Sequence, residues 1–323
     1  MGADTAQREP LGRPTRLLAA SRRCELMPYA SYLHGGRRRV GRVEHRSDGD
    51  HLVPLLGLVE IGRDTPTEVL AGAPELRRES VPVGQVHLLP VVPAPDKIIC
   101  VGLNYHTHVE ESRRDLPAYP VLFTKFASSL VGAHDEIVAP PESAQVDYEG
   151  ELAVVIGRAG RRIPRERAAE HILGYTVAND VTMRDHQYRS HQWLQGKAWE
   201  RSTPVGPYLA GPGEVDVAAA RIRTEVNGAI LQDASLVSLI FDIPTLIATI
   251  SEFTTVLPGD LILTGTPGGV GFRRDPQVFL EDGTTVTVTI EGVGSLSNRV
   301  RREAATAGAS TSPAGSGDRG RTA

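Results

Sequence analysis

The sequence predicts a mixed, mainly β fold, on three observations. Short β-branched runs recur between turns, in a chain of 323 residues with 33 glycines and 23 prolines. That is the composition of many strands joined by tight bends. Helical periodicity is confined to a few short segments. The runs are also irregularly connected, without the regular strand–helix alternation that builds a doubly wound parallel sheet.

Taken in order, residues 1–26 are rich in Arg, Pro and Ala without periodicity, which predicts a disordered tail, with Met27 as an alternative start. Tyr29–Leu33, the turn His34-Gly35-Gly36 and Val40–Val43 read as a hairpin, Leu52–Glu60 as a further strand and Thr65–Ala71 as a short helix. Pro90, Pro93 and Pro95 then punctuate the chain as a linker does, closing a small β-rich section over 27–95. From 96 to 302 the clearest strands are Lys97–Val101, Val121–Lys125, Leu152–Ile156, Arg223–Val226, Asp260–Thr264 and Thr285–Ile290. Pro164–His171 and Ile243–Ser251 read as helices, the second with Asp242 as its N-cap and Pro244 in its first turn. Residues 303–323, rich in Ala, Gly, Ser and Thr, predict a second disordered tail.

A net charge of −4 gives no general attraction to nucleic acid or to anionic membranes. No apolar run approaches the ~20 residues needed to span a bilayer. Cys24 and Cys100 lack any CxxC partner, which fits a reduced compartment and argues against a zinc or dithiol site. Ser21-Arg22-Arg23 has the look of a twin-arginine signal, but no hydrophobic segment follows it, so the expectation is a cytoplasmic protein.

Four constellations are candidates for chemistry. In Asp147-Tyr148-Glu149-Gly150-Glu151, leading into the apolar run 152–156, alternation places Asp147, Glu149 and Glu151 on one face. Such carboxylates repel one another unless a hard divalent cation lies between them; a solvated acidic edge has the same pattern. In the second, a strand-like run from Gly174 ends in Asn179-Asp180 and then gathers Arg184, Asp185, His186 and Gln187. Asp180 is either a third oxygen ligand or a helix N-cap.

The third is Gly102-Leu103-Asn104-Tyr105-His106-Thr107-His108-Val109-Glu110-Glu111. His108 and Glu111 are three apart on a polar helix, where a carboxylate can orient an imidazole base; an incidental surface pair has the same spacing. The His106/His108 pair alone is a weak zinc signal. The fourth, Gly265-Thr266-Pro267-Gly268-Gly269-Val270-Gly271, lacks the Lys-Ser/Thr of a phosphate loop and has no helix after it. Its bare N–H groups suit an anion such as a substrate carboxylate. The chain has only three lysines, and two of them, Lys125 and Lys197, lie in apolar or aromatic settings. Lys197 is placed to face an enolate, or else snorkels at a strand edge.

In this order the segments KIICVGLNYHTHVEE, DYEGELAVVIG, GYTVANDVTMRDHQ, QGKAWERSTPVGPYL, TEVNGAILQDAS and PGDLILTGTPGGVG resemble the fumarylacetoacetate hydrolase superfamily over about 97–300. The resemblance implies a mixed β-sandwich or roll, usually a homodimer, binding Mg²⁺ or Mn²⁺ (Ca²⁺ is a further candidate) through three carboxylates. By motif these are Glu149, Glu151 and Asp180. It further implies His108 and Glu111 on a lid segment, Lys197 beside the substrate, and Lys125, Arg184, Gln187 and Thr266 as substrate contacts. Asp147 matches no ligand and is expected to be a supporting or turn residue. Ala198-Trp199-Glu200 stands where the family commonly has Ser-Phe-Asp, a difference in the pocket wall.

The expected activity is therefore metal-dependent enolate chemistry on a small 2-oxo acid, first as hydrolytic C–C cleavage of an acylpyruvate or fumarylacetoacetate-like substrate. In that reading His108 activates water and Lys197 steadies the departing enolate. The same apparatus without water attack gives isomerisation or decarboxylation of an oxaloacetate-like acid. A catalytically silent binder is the rival from another class.

Overall fold

The computed structural model describes residues 28–304. The tails expected over 1–26 and beyond 304, and the questions of Met27 and Cys24, lie outside the described residues. β1 (Tyr29–His34) and β2 (Arg37–Arg46) form the expected hairpin, and β3 (Gly49–Pro54) extends it. Gly35 and Gly36 have φ of 57° and 73°, the left-handed backbone that a two-residue hairpin turn needs at both central positions. β3 ends at Pro54 rather than running on to Glu60, because the chain turns and the Leu56 N–H bonds to the Pro74 carbonyl (2.8 Å). α1 (Thr67–Gly72) and the short β4 (Val81–Pro82) and β5 (His87–Leu88) follow.

β6 (Ile98–Gly102) leads into α2 (His106–Ser112), and β7 (Val121–Lys125) returns antiparallel to β6. Next come β8 (Leu130–Val131), β9 (Ile137–Ala139), β10 (Val146–Asp147) and β11 (Gly150–Ile156). A 3-10 segment over Arg165–His171 stands where a helix was expected. Then follow β12 (Ile172–Asn179), β13 (Thr182–Met183), α3 (Arg184–Gln187), α4 (Leu194–Lys197) and β14 (Thr203–Ala210). The chain ends with β15 (Arg221–Val226), β16 (Ala229–Ser235), α5 (Ile243–Phe253), β17 (Leu261–Leu263), β18 (Thr285–Ile290) and β19 (Gly294–Arg302). Asp242 caps α5 as expected, its carboxylate accepting the Thr245 N–H at 2.9 Å.

A large sheet runs in the order β4-β3-β2-β1-β14-β12-β11-β17-β6-β7, and a five-stranded sheet in the order β16-β15-β18-β19-β9. The strands of the 27–95 section join the large sheet directly, with Tyr29 of β1 opposite Leu209 of β14. β11 is buried along its whole length, which explains its continuous apolar run. Leu152, Val154 and Ile156 face one core with Ile222, Val288 and Leu246 from the small sheet and α5. Ala153 and Val155 face the other, with Val40, Val205 and Leu263. A mainly β sandwich thus holds β11 at its centre, and the site grows from the end of that strand.

Candidate functional site

β11 pairs antiparallel with β12, Gly150 opposite Asn179, and the Asp180 N–H donates to the Glu149 carbonyl at 2.8 Å. This register sets Asp180 beside Glu149 and Glu151. One carboxylate oxygen from each lies within 4.8 Å of the others, and all three residues are buried. Asp180 is not a helix cap, since β13 follows it before α3 begins.

Cations and dipoles of the protein satisfy most of this negative charge. Lys197 Nζ donates to Glu149 Oε2 and Asp180 Oδ2, both at 2.7 Å. Lys125 Nζ donates to Asp180 Oδ1 at 2.7 Å, and Arg184 Nη1 lies 2.7 Å from Glu149 Oε1. Burial opposes the Glu149 charge, but Lys197, Arg184 and His108 outweigh it and hold its carboxyl at about 2. Burial likewise opposes the charge on Lys197, yet Asp180 and Glu149 raise the pKa of its ammonium. Glu151 differs. Among the described residues it has no ion pair, and its Oε2 accepts only the Gly265 N–H at 2.7 Å. Burial, then the charges of Asp180 and Glu149, push its carboxyl well above the usual carboxylate range. Three hard oxygen donors, one of them lacking a counter-charge, fit a divalent cation such as Mg²⁺, Mn²⁺ or Ca²⁺.

A cleft of about 400 Å³, counted to its open mouth, is floored by Glu149 and Glu151 and walled by His108, Arg184, Gln187, Lys197 and Thr266. Its wall begins where β6 ends. Buried Asn104 fastens the turn, donating through Nδ2 to the Thr264 carbonyl (2.7 Å) and accepting from the Phe241 N–H (2.7 Å). α2 then carries His108 and Glu111, with Nδ1 3.5 Å from Oε2, longer than a good hydrogen bond. His108 Nδ1 is buried without a hydrogen-bond partner.

The glycine-rich loop has the chemistry expected of it with different anions. Its N–H groups bind the protein's own carboxylates: Gly265 to Glu151, Gly269 to Glu111 (3.1 Å to each oxygen) and Gly271 to Asp147 (2.8 Å). Asp147 is indeed a supporting residue, since it also accepts from the Phe272 N–H at 3.0 Å and from Arg184 Nε at 2.8 Å.

Lys125, expected as a substrate contact, is 2% exposed and sits behind Asp180, its Nζ also donating to the Val181 carbonyl. It is absent from the cleft lining and serves to hold Asp180. Arg184 and Gln187 reach the cleft joined, Nη1 donating to Gln187 Oε1 at 2.9 Å, while Nη2 of Arg184 is buried without a partner. Thr266 Oγ1 accepts from Gln232 Nε2 at 2.8 Å. Among the described residues no histidine joins a group of three or more metal-ligating side chains. His186 packs edge-on against Trp199, ring centroids 5.0 Å apart.

Sequence reasoning passed over Gln232, Trp193 and Arg114. Gln232 donates to Thr266 and accepts the Gly150 N–H at 3.0 Å, bracing the floor. It is the one buried residue of β16, a polar residue at an inward position, and that parity was its signal. Trp193 and Arg114 line the cleft from segments without periodicity.

This fold and this site define a family of enzymes. Residues 97–301 match the model of the Fumarylacetoacetate (FAA) hydrolase C-terminal region, and the chain belongs to the fumarylacetoacetate hydrolase family. It is 45% identical over 223 residues to the human Oxaloacetate tautomerase FAHD2A, mitochondrial, covering 68% of this chain and 71% of that protein. Among solved structures it resembles 5-carboxymethyl-2-hydroxymuconate delta-isomerase from Mycobacterium smegmatis (TM-score 0.74, 35% identity, 86% of this chain and 100% of that one). It also resembles 2-hydroxyhepta-2,4-diene-1,7-dioate isomerase from Mycobacterium marinum (TM-score 0.72, 35% identity, 86% and 99%).

Proposed function

We propose that this enzyme interconverts the enol and keto forms of a small 2-oxo acid, with Mg²⁺ or Mn²⁺ held by Glu149, Glu151 and Asp180. The observation that carries this reading is one cleft floored by Glu149 and Glu151, with Asp180 clustered against them and His108 on the wall. A divalent cation there supplies electrophilic stabilisation of negative charge on the enolate oxygen, typically several kcal/mol. Arg184, which lines the cleft with a partnerless Nη2, binds the substrate carboxylate through charge-assisted hydrogen bonds. His108 takes the enol proton and returns it at carbon 3, so one proton moves and no bond to water forms. Glu111 steers the ring, and Lys197 adds fixed positive charge beside the developing enolate.

Hydrolytic C–C cleavage, the first expectation from sequence, becomes the second reading. The three relatives given above are named as a tautomerase and two isomerases, which supports proton transfer without water attack. The test follows enol–keto conversion of oxaloacetate and cleavage of acylpyruvates side by side, after chelation and with Mg²⁺ or Mn²⁺ restored. Metal-dependent tautomerisation is expected. Glu149→Ala should stay folded while losing both this rate and the rise in Tm on adding metal. Cleavage without tautomerisation would make the protein a hydrolase, and binding without turnover a silent homologue.

A further inference from the structure

The inner cleft opens beside a second cavity of about 950 Å³, counted with its open side. The two share Arg114, Phe123, Tyr188 and Trp193, so these residues stand at the junction. The rest of the outer lining includes Ser190, His191 and Gln192 and no Asp or Glu. Trp193 is held across the junction by Phe123, edge-on with ring centroids 5.5 Å apart, and by Gly102, where a Cβ would come within 2.4 Å of its ring.

Arg114 is the cation at this junction. Among the described residues its guanidinium makes no ion pair and lies over the Trp193 ring, 5.9 Å from the centroid. Its backbone is fixed: Arg113 turns the chain at φ 52°, and the Arg114 N–H closes onto the Val109 carbonyl at 3.3 Å. Of the other cations lining the cleft, Lys197 is paired with Glu149 and Asp180, and Arg184 with Asp147 and Glu149 through Nε and Nη1, which leaves its Nη2 for the proximal carboxylate alone. A guanidinium resting on an aromatic face is weakly hydrated and keeps its forked donors for a planar carboxylate.

We propose that Arg114 is a specificity-determining residue that binds the distal carboxylate of a dicarboxylic 2-oxo acid. The inference rests on the function proposed above for the proximal end of the same substrate. Trp193 then lies along the carbon chain between the two ends, and the outer cavity leaves room for acids of more than four carbons.

The test compares wild type and Arg114→Gln on oxaloacetate and on acetylpyruvate, which ends in a methyl group. For oxaloacetate KM should rise about 10- to 100-fold, as losing charge-assisted hydrogen bonds implies, with kcat nearly unchanged. For acetylpyruvate KM should move less than about twofold. Arg114→Lys should recover part of the oxaloacetate loss, because a point charge remains without the fork. An equal change for both substrates, or none, overturns the proposal. If wild type turns over neither acid, the functional reading fails, and binding still decides this inference. Succinate should bind the Mg²⁺-loaded protein about tenfold more tightly than butyrate, a preference absent in Arg114→Gln. Equal binding of the two by wild type overturns it.

Discussion

Glu149, Glu151 and Asp180 stand on or beside paired strands in the core, whereas His108, Glu111 and Arg114 ride on, or just beyond, a seven-residue helix at the rim. The floor residues are at most 5% exposed, while the side chains of His108 and Glu111 are 12% and 21% exposed. Floor geometry is over-determined: strand register, two lysines, an arginine and a glycine N–H all fix the same three carboxylates. The rim is held more lightly. α2 is tied to the glycine-rich loop through Gly268–Thr107 and Gly269–Glu111 contacts of 3.1 Å. On the function proposed above, the floor would fix where positive charge sits, while the rim would decide which proton moves and which acid enters. Strain placed on one should leave the other nearly intact.

The largest expected effect tests the floor. Lys125→Met leaves Asp180 buried with Lys197 as its only remaining cation among the described residues. Removing one partner of a buried ion pair costs about 3–5 kcal/mol, and the surviving Lys197 places the loss near 3. Denaturant unfolding measures it. A variant as stable as wild type would mean that the floor is not electrostatically braced. At the rim, His108→Gln should lower turnover about 10²–10⁴-fold, the range for losing a general acid–base group. Calorimetric titration with Mg²⁺ should give wild-type affinity. An unaffected rate would remove His108 from the proton path.

The same division explains what could be read from sequence. Val121–Lys125, Thr285–Ile290 and the Asp242 cap were legible because strand alternation and capping act over a few residues. The clustering of Glu149, Glu151 and Asp180 was legible through motif resemblance, with alternation supplying the pairing of Glu149 with Glu151. β14 was not, since Thr203–Ala210 contains Pro204, Gly206 and Pro207, residues that argue against a strand. Its place between β1 and β12 comes from pairings with Tyr29 and Tyr175, far away in the chain. Lys125 was seen as functional but given the wrong partner, because sequence shows that a lysine lies in an apolar run and not which carboxylate lies behind it. The anions of the glycine-rich loop were missed for the same reason. Each contact joins residues more than a hundred positions apart.

The smallest predicted effect probes whether wall and floor are separable at their closest approach. Gly102 ends β6 and has Trp193 against it, so an added methyl group would lie 2.4 Å from Cζ3 and 3.0 Å from Cη2. The obstruction is the outer edge of an indole on a short loop, which can swing aside where a packed strand could not. Gly102→Ala should therefore cost about 1 kcal/mol of stability, the low end for overpacking. Displacing the ring also removes the surface on which the Arg114 guanidinium rests, so KM for a dicarboxylic substrate should rise about 2- to 5-fold, the worth of an exposed cation–π contact. Mg²⁺ affinity should stay at its wild-type value, because the floor carboxylates are held by Lys125, Lys197, Arg184 and the Gly265 N–H rather than by this ring. A parallel loss of metal binding would show that the wall and the floor move as one unit.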